Sequence, residues 1–185
     1  SRGIDGIRAE SLHFHGARHG EHHERFFIEL SPITEFLFSL CFCAYCRRNY
    51  EVDNSSSDQL SSKIKSLLTQ VFDEKDPWVG KKLDKQSLAE VVGPDILMYL
   101  NSRERAVSDL YRKLVGVTKN AGITFNFVDQ APLLDMNSEN ATANSWQVGI
   151  DNSQIREIID RYEPLVYRTE SIQVAKLASN YLEHL

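Results

Sequence analysis

Along this 185-residue chain the hydrophobic period switches repeatedly between the two-residue repeat of a strand and the three-to-four-residue repeat of a helix. Ile4 to Ala9 reads as a short strand. Ser31-Pro32 opens a helix, with Ser as N-cap and Pro at the first helical position, and Ile33, Phe36, Leu37 and Leu40 follow at helical spacing. Asp58 caps a second helix with Leu60, Ile64, Leu67, Leu68 and Val71 on one face. Residues 73 to 93 look irregular, broken by Pro77, Gly80 and Gly93. Pro94 to about Asn120 is helical, with Val107, Leu110, Leu114 and Val117 in phase and Gly122 placed to end it.

The pattern then alternates. Ile123–Val128, Trp146–Ile150 and Leu165–Thr169 read as strands. A helix carrying Ile155, Ile158 and Ile159 lies between the last two, and a final helix runs from Ser171 to His184 with Ile172, Ala175, Ala178 and Tyr181 inward. Strands alternating with helices imply a parallel sheet with helical crossovers. Gln130 to Ser145 lacks a helical period and contains Pro132, so it is expected as a long loop at the C-terminal face of the sheet, where α/β proteins place their sites.

Composition narrows the function classes. With 42% hydrophobic residues the chain can bury a sizeable core. A net charge of -5 gives no general attraction to nucleic acid. The longest apolar run, Phe36 to Tyr45, is broken by Ser39 and is too short for a membrane span. The chain begins at Ser1 without Met and enters a strand almost at once, as the middle of a longer protein would.

Chemistry concentrates in one region. Five of the six histidines, His13, His15, His19, His22 and His23, fall close together, and Cys41, Cys43 and Cys46 follow. An odd cysteine count at CxCxxC spacing is not a disulfide framework. It reads as reduced thiols in a cytoplasmic protein. Two readings stay open. The thiolates form three corners of a zinc tetrahedron, with His22 or His23 at the fourth, or they pack as small hydrophobes at a buried helix end. His13 and His15 alternate with Phe14, which puts both imidazoles on one side of an extended segment and suits them to bind substrate hydroxyls. His19-Gly-Glu21-His-His23 lacks the HExxH offset, which excludes a zincin site.

The block Gly6-Ile-Arg-Ala-Glu10-Ser-Leu, the histidine loop, Leu30-Ser-Pro32 and Ser39-Leu-Cys-Phe-Cys-Ala-Tyr-Cys-Arg47 resembles a group of uncharacterised bacterial proteins expected to be glycoside-hydrolase-like (β/α)8 barrels. Cys41-x-Cys43-x-x-Cys46-Arg-x-x-Tyr50 is also similar to the zinc-binding segment of family 42 β-galactosidases. The resemblance implies a single partial TIM-barrel domain over residues 1–185, holding about strands four to seven. Such a piece exposes raw sheet edges, so it either pairs with another copy or lacks the rest of its barrel.

On that fold, Glu10 would end strand four as acid/base and Glu170 would follow strand seven as nucleophile. Retaining hydrolysis would set the two carboxyls about 5–5.5 Å apart. His13, His15, His19, Asp129 and Trp146 would line a carbohydrate site. The expectation is thus a carbohydrate-active hydrolase, against two alternatives: a metal-dependent enzyme built on the histidine loop, or a non-catalytic barrel with a structural zinc. Glu170 also reads as an ordinary helix N-terminal acid, and Asp151 and Asn152 as capping residues.

Overall fold

The computed structural model describes residues 3–16, 30–51, 56–131, 141–166 and 170–184. The chain divides into two compact units. One comprises Ser1–Phe14 with Glu104–Leu185, and the other His15–Arg103. In chain order the elements are β1 (Gly6–Ala9), α1 (Pro32–Phe38), α2 (Ala44–Glu51), α3 (Ser57–Asp73), α4 (Lys85–Val92), α5 (Asp95–Asn120), β2 (Thr124–Asp129), a 3₁₀ helix (Ala141–Val148), α6 (Asn152–Ile158), β3 (Arg161–Pro164) and α7 (Ser171–His184).

The first unit is built on a three-stranded parallel sheet, order β1-β2-β3 among the described residues. Gly6 pairs with Thr124 and Phe127 with Tyr162. A Cβ at Gly6 would lie 2.5 Å from Thr124 Oγ1, so a larger residue there would force that hydroxyl to turn away. The core joins Ala9, Phe125, Phe127, Val148, Ile150 and Ile155 to Val107, Tyr111 and Val115 of α5. On the opposite side of the sheet Glu163 accepts from Asn126 Nδ2 (2.8 Å) and pairs with Arg8 Nε (2.7 Å). This two-residue alternation puts Tyr162 toward the core and its neighbour Glu163 on the polar side.

The second unit is helical among its described residues. Ser31 caps α1, accepting from the Thr34 N–H at 3.2 Å, with Pro32 at the first helical position as expected. Ile33, Phe36 and Leu37 of α1, Leu60, Ile64 and Val71 of α3, Leu88 and Val92 of α4, and Ile96, Tyr99 and Leu100 of α5 are all buried.

The barrel expectation is overturned. The molecule is mostly helical with a small three-stranded sheet, not strands four to seven of a TIM barrel. Three local misreadings contributed. Trp146–Ile150 is not a strand. Val148 and Ile150 are both buried, which mimics alternation, but Gly149 at φ 78° ends a 3₁₀ helix there. Its N–H bonds Trp146 O (3.0 Å) and the Ile150 N–H bonds Ser145 O (3.0 Å), the paired bonds of a Schellman cap.

The third strand lies at Arg161–Pro164 rather than Leu165–Thr169, and residues 167–169 lie outside the described residues. The Leu165 N–H donates to Asp129 O (2.8 Å) and closes the ladder, so the apolar run begins where the strand stops. Residues 73–93 are not irregular throughout, because Asp84 caps α4 by accepting from the Ser87 N–H at 2.8 Å. Of the expected loop Gln130–Ser145, residues 132–140 lie outside the described residues.

Candidate metal centre

Cys41 and Cys43 lie in the turn between α1 and α2, and Cys46 sits in the first turn of α2. Arg47 N–H donates to Cys43 O (3.0 Å), so Cys43 is the residue from which the helix begins. Two side chains hold the turn by its carbonyls. The Tyr99 hydroxyl donates to Cys41 O, and Arg47 Nε donates to Phe42 O at 2.7 Å. Tyr99 also stacks on Phe42, centroids 4.8 Å apart, and meets Tyr50 edge-on at 5.4 Å. A second Arg47 nitrogen pairs with Asp58 of α3.

The three sulfurs all lie within 4.8 Å of one another, close enough to hold a metal ion. Among the described residues no other group of histidine, cysteine and acidic side chains does so. Cys43 Sγ and Cys46 Sγ are 3.7 Å apart. All three cysteines are thiols: Cys43 exposed, Cys41 half-buried and Cys46 buried.

The pair is electrostatically asymmetric. The N–H of Cys46, then the neighbouring thiols and the N–H of Tyr45, pull the Cys43 thiol down to about 7. Burial pushes the Cys46 thiol up to about 12, and the other two sulfurs add to the rise. Burial, followed by the neighbouring Cys46 sulfur, also raises the Tyr99 phenol.

The other residues singled out from sequence fall elsewhere. His19, His22 and His23 lie outside the described residues. Glu10 is exposed just past β1 and accepts from Gln130 Nε2 at 3.3 Å. Glu170 is exposed, and its carbonyl accepts the first N–H groups of α7, from Gln173 (3.1 Å) and Val174 (3.2 Å). His13 Nδ1 lies 2.8 Å from Phe14 O, His15 is exposed and Trp146 is half-buried.

Asp129 is completely buried at the end of β2. It accepts from the hydroxyls of Tyr162 (2.5 Å) and Tyr181 (2.8 Å) and from the Ala131 N–H (2.8 Å). Asp151 caps α6, accepting from the N–H groups of Ser153 (3.1 Å) and Gln154 (3.2 Å). Asn152 instead donates to Thr142 O (3.3 Å) and Ser145 Oγ (2.9 Å).

Sequence reading missed Tyr99 and Tyr162. A tyrosine far from the cysteines carries no local signal that it will bond their backbone, and Tyr162 lies before the segment Leu165–Thr169 expected as the strand. Comparison of the chain with protein-family models, curated proteins and solved structures finds no match. No helix among the described residues is long and apolar enough to cross a membrane.

Proposed function

We propose that this chain binds one zinc ion through Cys41, Cys43 and Cys46, as a structural centre that fastens the turn before α2. The carrying observation is the 3.7 Å separation of the Cys43 and Cys46 sulfurs. Zinc–sulfur bonds of about 2.3 Å meeting at tetrahedral angles place two sulfurs about 3.8 Å apart. Cys41, within 4.8 Å of both, reaches the third corner with a small movement of its turn. Three soft thiolates suit zinc, and when bound it cross-links a segment that otherwise depends on the carbonyl contacts of Tyr99 and Arg47. His22 or His23 is the candidate for the fourth corner, chosen from sequence.

The carboxylate-pair hydrolase reading depended on barrel strands four and seven. The described sheet, order β1-β2-β3, does not supply that barrel.

Elemental analysis of the purified chain tests the proposal. About one zinc per chain is expected, falling in each of Cys41→Ser, Cys43→Ser and Cys46→Ser, and falling also in a His22→Ala/His23→Ala double variant. Metal-free protein whose three thiols react freely with a thiol reagent in the folded state would overturn it.

A further inference from the structure

We propose that Cys43 and Cys46 are also a thiol–disulfide exchange pair, with Cys43 attacking a small external disulfide and Cys46 resolving the adduct. Three observations carry this. Cys43 is exposed and Cys46 buried, so an outside molecule reaches the first and not the second. Cys43 directly precedes the eight-residue helix α2 and Cys46 sits in its first turn, the C-x-x-C arrangement that favours intramolecular attack. Their sulfurs are 3.7 Å apart, so closing to a disulfide of about 2.05 Å takes a movement of under about 2 Å. The carbonyls of Cys41 and Phe42, just before Cys43, are held by Tyr99 and Arg47.

The chemistry balances as follows. The Cys43 thiolate attacks one sulfur of the external disulfide, forming a mixed disulfide and expelling one small thiolate. The Cys46 thiolate then attacks the Cys43 sulfur and expels the second. The two protein thiols give up two electrons and two protons together, and the external disulfide becomes two thiols. Closing the bond withdraws two of three sulfurs from a metal held there. The exchange stands on those three observations, and only this last consequence rests on the zinc reading.

The test incubates the full chain, with whatever zinc it holds, with oxidised glutathione. Intact-mass and peptide mass spectrometry follow the thiols, and a chromogenic chelator follows released zinc. The wild-type chain is expected to lose two hydrogens, to map a Cys43–Cys46 link and to accumulate no glutathione adduct. Cys46→Ser is expected to trap one glutathione on Cys43, and Cys43→Ser to react at least tenfold more slowly.

Links through Cys41, stable adducts on the wild-type chain, or three intact thiols after prolonged exposure would each overturn the exchange. A Cys43–Cys46 link in a chain that held no zinc would support the exchange and sink the zinc reading. Retained zinc with all thiols intact would do the reverse.

Discussion

Asp129 shows how much one side chain can organise. Its carboxylate has no exposure, and among the described residues it accepts from Tyr162 of β3, Tyr181 of α7 and the Ala131 N–H. The Tyr162 hydroxyl is shared with Asn152 Oδ1 of α6 at 2.9 Å, so one acid ties together the ends of two strands and two helices. Burial and, after it, the charge of Asp129 raise the phenols of Tyr162 and Tyr181, so both stay protonated as donors. Removing the acceptor takes from the Tyr181 hydroxyl and the Ala131 N–H the carboxylate they donate to, while Tyr162 keeps Asn152 Oδ1, and each buried donor left without its acceptor costs its desolvation. Asp129→Ala is therefore expected to destabilise the chain by about 3 kcal/mol and Tyr181→Phe by about 1 kcal/mol. Urea unfolding midpoints measure both, and an unchanged midpoint in Asp129→Ala would contradict the role. Sequence placed Asp129 correctly at a strand end but gave it to a substrate. Its two phenolic partners lie 33 and 52 residues away, and no local pattern shows such a bond.

At the scale of elements, what is local was legible and what is tertiary was not. Ser31-Pro32 marks the start of α1, and Gly122, at φ 68°, ends α5 with the Ile123 N–H on Thr118 O at 2.9 Å. The buried stripe of α5 was misplaced. Leu110 and Val117 are exposed, while Tyr111 and Val115 face the core. Both sets satisfy a helical repeat, and Tyr111 prevails because its ring meets Phe127 and Phe125 edge-on at 5.1 and 5.8 Å.

The N-terminus of α1 shows a similar limit, because its strongest acceptor comes from far along the chain. Asp76 accepts from the Ser31 N–H (2.7 Å), the Thr34 hydroxyl (2.7 Å) and the Trp78 N–H (2.9 Å). Burial alone would push its carboxyl up, but these donors outweigh it and hold it below the usual carboxylate value. The stability it contributes is therefore present in full above the unfolded value near about pH 4, and is lost as pH falls through the lower folded-state value. Asp76→Asn is expected to cost roughly 1–2 kcal/mol at neutral pH and to flatten the acid limb of the stability curve. Superimposable acid-unfolding profiles of the two proteins would contradict this.

At the scale of the whole molecule, residues 15–103 form a compact unit of their own, helical among its described residues, with Ile33, Leu37, Tyr50, Leu88, Ile96 and Tyr99 buried, and β1 and β2 belong to the other unit. The cysteine turn lies inside that helical unit, so its role does not depend on a barrel. The sequence spacing of the cysteines was legible; their closeness depends on where α2 begins, which backbone geometry decides.

The most direct test of the zinc centre is X-ray absorption at the zinc edge of the purified chain. Three sulfur neighbours at about 2.3 Å with a single nitrogen or oxygen near about 2.0–2.1 Å are expected, with one sulfur fewer in Cys43→Ser. A shell of nitrogen and oxygen alone, or protein that binds no zinc, would contradict the account.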